Sequence, residues 1–117
     1  MLAALLSDIR ERDFVSPQRM SRRLRLPLAD LAKLAHVHRN TLARRPESVL
    51  VQKSLEPVVR ILAAAEELTG DPDRAIVWFR HQPIAGHDGR TAFELVAAEH
   101  AEAVLAHLED LRDGAYA

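Results

Sequence analysis

Asp71-Pro72-Asp73-Arg74-Ala75-Ile76-Val77-Trp78-Phe79, followed by Gly89-Arg90-Thr91-Ala92-Phe93-Glu94-Leu95-Val96, is the stretch whose local chemistry decides the fold. An aspartate accepts hydrogen bonds from the first free N–H groups of a helix, and a proline just after it gives up a donor the helix does not need, so Asp71-Pro72 predicts a helix start. Thr91 with Glu94 three residues on is a capping box, which predicts a second start. Pro83, Gly86 and Gly89 mark a turn region between the two. Further on, Ala101, Val104, Leu105, Leu108 and Leu111 recur at helical spacing, and Gly114 reads as a left-handed stop that leaves Ala115, Tyr116 and Ala117 as a tail. Taken alone, Trp78 and Phe79 read as core aromatics and the tail as a frayed terminus.

Working outward, Ser54 reads as the cap of a long helix with Pro57 in its first turn. Leu55, Val58, Val59, Leu62, Ala65 and Leu68 form its apolar face up to Gly70, and Glu47 to Lys53 reads as a connector before it. At the front of the chain, Leu2, Leu5, Leu6 and Ile9 share one helical face, and Ser16-Pro17 starts a helix over Gln18 to Leu24. β-branched alternation is absent, so six to eight helices and no sheet are expected. From Leu28 to Arg45, Leu28, Leu31 and Ala32 make an apolar stripe, while Val37 and Leu42 are spaced to plug the gap between two helices. That spacing is a helix-turn-helix. Its second helix, about His38 to Arg45, presents Arg39, Asn40, Thr41, Arg44 and Arg45 outward. Arginine can pair with guanine, asparagine with adenine, and threonine with phosphate or a thymine methyl. Two packed amphipathic helices with a merely solvated polar face are the plainer alternative.

The chain has 117 residues, 48% of them hydrophobic, which suffices for one domain or two very small ones. With no cysteine there is no disulfide framework, thiolate metal site or thiol nucleophile. Met1 to Arg45 holds ten Lys or Arg against four Asp or Glu, whereas Pro46 to Ala117 holds six against thirteen. A basic front suits a polyanion and an acidic back does not, so the halves are expected to face different partners. The first residues lack a basic leader region, so no export is expected, and no apolar run approaches the ~20 residues a membrane span needs. The six histidines fall in no metal-binding spacing, no glycine-rich phosphate loop follows a strand, and Glu66-Glu67 and Glu109-Asp110 are adjacent on helices and diverge. Neither catalysis, metal nor cofactor is expected.

The order of elements after Leu55 — a helix bearing Trp78, a turn, the Gly-Arg-Thr-x-x-Glu-Leu helix, an amphipathic helix and a terminal Gly-Ala-Tyr-Ala — resembles the C-terminal domain of the MbcA/ParS/Xre antitoxin family. The Leu28–Arg45 segment resembles the Xre type of helix-turn-helix, with His36 where glycine and His38 where serine is common. The resemblance implies an all-α protein divided into a DNA-binding region, 1–53, and a toxin-binding domain, 54–117. DNA would be met by His38, Arg39, Asn40, Thr41, Arg44 and Arg45, and toxin by Arg112, Gly114, Ala115, Tyr116 and Ala117. The implied partners are a RES-domain toxin that consumes NAD and the protein's own promoter DNA. A cytoplasmic homodimer, or a larger hetero-oligomer with toxin, is expected. The alternative is a solitary regulator whose acidic half only dimerises.

Overall fold

Helix α1 (Ala4–Ile9) leads into a hairpin of β1 (Arg10–Glu11) and β2 (Phe14–Val15), and α2 (Pro17–Leu24), α3 (Leu28–Ala35) and α4 (Arg39–Arg44) follow. The long α5 (Val49–Thr69), then α6 (Pro72–His81), α7 (Ala92–Ala97) and α8 (Ala101–Ala115) complete the chain in this computed structural model, which describes residues 4–115. The all-α expectation holds, with eight helices among the described residues. The small antiparallel hairpin is the exception, with Arg10 opposite Val15 and Glu11 opposite Phe14. Strands of two residues are too short to carry a period-two pattern, which is why alternation did not announce it.

The expected caps form. Asp71 accepts from Arg74 N–H at 3.3 Å, Thr91 Oγ1 accepts from Glu94 N–H at 3.1 Å, and Glu94 Oε1 accepts from Thr91 N–H at 3.0 Å. Ser16 caps α2 with Pro17 at the first position. Between α6 and α7, Ile84 is buried and its N–H donates to Arg90 O at 2.8 Å, closing a loop whose reversal uses positive φ at Gly86 and Gly89.

Helix α5 is the spine. Its buried Val51, Leu55, Val58, Ile61, Leu62 and Ala65 join one core with Leu5 and Ile9 of α1, Leu31 and Leu34 of α3, Phe79 of α6 and Val104 and Leu108 of α8. The basic and acidic halves therefore share a single apolar interior. Helix α5 begins earlier than its sequence suggested: Ser48, not Ser54, is the cap, accepting from Val51 N–H at 3.2 Å. Ser54 instead donates its hydroxyl to Leu50 O at 2.7 Å. Pro57 thus sits inside the helix, a placement that costs about 3 kcal/mol in an isolated helix. Burying Val51 on the same stripe as Leu55 and Val58 offsets much of that, at roughly 1.5–3 kcal/mol for a fully buried valine.

Two further expectations are corrected. Gly114 is helical and does not stop α8, which runs to Ala115; a glycine within a helix costs only about 1 kcal/mol relative to alanine and does not end one by itself. Trp78 is only half-buried, whereas Phe79 beside it is fully buried and meets Phe93 edge-on, with ring centroids 6.2 Å apart. Phe79 continues the inward face of Ala75 and Ile76 at helical spacing, whereas Trp78 falls on the flank beside exposed Val77.

Candidate functional site

The turn between α3 and α4 is built by two histidines. His36 adopts the left-handed conformation, φ 57°, that ends α3, and Val37 N–H returns to Ala32 O at 3.3 Å. His38 is extended and caps α4 with its ring, Nδ1 accepting from Asn40 N–H at 3.1 Å. Both fill the positions assigned to them, and His38 therefore carries its ring proton on Nε2 when it caps. Leu42 is fully buried and Val37 partly so, locking the helix pair as the hydrophobic spacing required. Arg39, Asn40, Arg44 and Arg45 are exposed. Thr41 is half-buried, and Arg45 lies just past the helix as its C-cap. The structure thus brings Arg39, Asn40 and Arg44 together on one short helix. Ala43 between them is exposed and small, so bulk there does not hold a ligand away.

One side chain fixes the frame around α4. Gln52 accepts from Val15 N–H at 2.9 Å, and its amide nitrogen donates to Val15 O and to Pro46 O, each at 2.8 Å. Pro46 directly follows Arg45, so the hairpin and the exit from α4 are tied to the same amide. A second fixture joins the halves: His36 Nε2 lies 3.0 Å from Val96 O at the end of α7, and His36 Nδ1 lies 4.0 Å from Glu99. A third is Glu66 of α5, whose carboxylate accepts from Ala4 N–H at 3.0 Å and Leu5 N–H at 2.9 Å and so caps α1 from 61 residues away. None of these three was found from sequence, because each joins residues far apart in the chain.

At the other end of α5, an open groove of about 280 Å³ runs along α8, floored by Ala63, Ala64, Leu105 and Leu108 and rimmed by Arg60, Glu67, Glu109 and Arg112. Leu111, expected on the buried face of α8, is 45% exposed. Arg112 and Gly114 are exposed on the last turn, Arg112 beside Asp113 at 3.8 Å, and Ala115 ends the helix. Tyr116 and Ala117 lie outside the described residues. A second apolar surface was missed: Val77 is 58% exposed next to half-buried Trp78, with Arg74 and His81 at its edge. Helical phase could have found it, since Ala75, Ile76 and Phe79 already fill the inward positions of α6.

Among the described residues no group of three or more His, Asp or Glu is placed to hold a metal ion, and no helix is long and apolar enough to cross a membrane. No curated protein and no solved structure matches the chain. One family model does, over residues 64–114: the antitoxin Xre/MbcA/ParS C-terminal toxin-binding domain. The match opens in the second half of α5, takes in α6, the Ile84 loop and the capping-box helix α7, and closes in the last turn of α8. Residues 64–114, which carry the Trp78 surface, Arg112 and most of the groove, thus form a toxin-binding domain of the Xre/MbcA/ParS antitoxin type.

Proposed function

We propose that this protein is the antitoxin of a type II toxin–antitoxin pair, that it silences a RES-domain, NAD-consuming toxin by binding it directly, and that it represses its own operon by binding promoter DNA. The observation carrying this reading is that one helix, α5, bears the α3–α4 helix-turn-helix at one end and the family-matched toxin-binding domain at the other. A functional division at 53/54 lies within α5, so the two activities would belong to two ends of one core, both working in the cytoplasm.

On the DNA side, His38, Arg39, Asn40, Thr41, Arg44 and Arg45 would lie in or beside the major groove. Arg39 and Asn40, on the first turn, would reach base edges, and Arg44 and Arg45 would meet phosphates. One six-residue helix contacts few bases, so a homodimer reading two half-sites is the economical arrangement. On the toxin side, α8 would dock and the segment Arg112, Gly114, Ala115, Tyr116 and Ala117 would reach the toxin's nucleotide pocket. There a tyrosine offers an aromatic face and a hydroxyl. Because α8 stays helical through Gly114, the tail would leave from the tip of a rigid rod.

The test is co-expression with the proposed partner, a RES-domain toxin. Growth rescue and co-purification of the two chains are expected; rescue without a complex, or a complex without rescue, would each contradict neutralisation by direct binding.

A further inference from the structure

Two arginines outside the helix-turn-helix share its end of the molecule. Arg10 in β1 and Arg12 in the two-residue turn are exposed, and neither has an ion-pair partner among the described residues. Of the two acidic residues on the hairpin, Glu11 is held by Arg19 at 3.7 Å, and Asp13 alone is left uncompensated. The Gln52 amide sets this hairpin beside the exit of α4, because Val15 O and Pro46 O are both 2.8 Å from its nitrogen. Arg12 also stands at φ 59°, a left-handed position that glycine or asparagine adopts more readily than a long side chain does. No packing demands an arginine there, since the residue is exposed.

We infer that Arg10 and Arg12 form a second contact with duplex DNA, a clamp on the sugar–phosphate backbone flanking the groove that α4 enters. This rests on the DNA-binding reading above and extends it to residues with a different task. A guanidinium accommodates a phosphate bidentately and carries no sequence information when it does so. A hairpin fixed next to the C-terminal end of α4 stands beyond the base-reading first turn, at the edge where the backbone borders the groove.

The test compares the full-length protein with an Arg10→Gln, Arg12→Asn variant. Asparagine tolerates the left-handed turn, so the variant keeps its fold, which an unchanged melting temperature verifies. Affinity is measured for a promoter duplex and for a scrambled duplex of equal composition over a range of salt. Each phosphate contact adds about 0.9 to the slope of log affinity against log salt, so losing two lowers the slope by about 1.8, equally on both duplexes. If the proteins bind alike at about 1 M salt, that is a deficit of roughly 60-fold at about 0.1 M. An Arg60→Gln, Arg74→Gln variant removes the same charge from other faces and is expected to keep the wild-type slope. A wild-type slope in the hairpin variant overturns the clamp, and so does an equal loss in the control variant, which would mean long-range charge alone. A loss confined to the promoter duplex would make these base contacts and overturn it as well. If the wild-type protein binds neither duplex, the DNA-binding reading falls first and the clamp with it.

Discussion

Replacing Gln52 with alanine removes three hydrogen bonds at one stroke: the one from Val15 N–H and the two given to Val15 O and Pro46 O. Each such bond is worth about 0.5–1.5 kcal/mol net, and backbone groups left unpaired in a partly buried place cost more than that. The site is partly open to water, which recovers some of the loss, so the expected destabilisation is about 2 kcal/mol, or a fall of about 8 °C in melting temperature for a chain of this length. Gln52→Glu separates hydrogen bonding from packing. Its carboxylate can still accept from Val15 N–H but brings an oxygen, with no proton to give, against two carbonyl oxygens, so it is expected to be at least as damaging as alanine despite equal size. Urea unfolding of the three proteins measures both differences. A Gln52→Ala loss within about 0.5 kcal/mol, the range of an ordinary surface change, would refute the idea that this amide holds the hairpin to the exit of α4. Glutamate tolerated better than alanine would refute it too.

Three further outcomes are expected. Glu66→Ala uncaps α1, losing two charge-assisted bonds to Ala4 and Leu5; with that helix end at the surface, about 2 kcal/mol should be lost in urea unfolding. The triple change Arg39→Ala, Asn40→Ala, Arg44→Ala touches only exposed side chains and should leave the circular dichroism spectrum and melting temperature unchanged while abolishing preference for promoter over scrambled DNA in a gel-shift competition. Deleting 114–117 should leave a complex with the toxin that survives gel filtration but no longer fully suppresses NAD consumption; full suppression would reduce the tail to a bystander.

The starts of α2, α6 and α7 were legible because donor and acceptor lie within three residues: Ser16 with Arg19, Asp71 with Arg74, Thr91 with Glu94. The helix-turn-helix was legible from the spacing of Leu31, Ala32, Val37 and Leu42, which survives histidine at a position that glycine would fill more comfortably. The start of α5 was not, because Ser48 and Ser54 are equally good caps locally and Pro57 favoured the nearer one. The choice was made by the burial of Val51, a tertiary fact. Gln52, Glu66 and His36 escaped for the same reason, since nothing in an exposed-looking polar side chain says which distant backbone it will meet. The Val77–Trp78 surface, by contrast, was available from helical phase, since Ala75, Ile76 and Phe79 fill the inward positions of α6 and leave Val77 and Trp78 on its outer flank.

The most direct test of the proposed neutralisation is NAD turnover by a purified RES-domain toxin, the partner proposed above, titrated with this protein at full length. A stoichiometric fall to complete inhibition, with both chains eluting as one species from gel filtration, is the expected result. Undiminished NAD turnover in the presence of excess protein, with the two chains eluting apart, would contradict it.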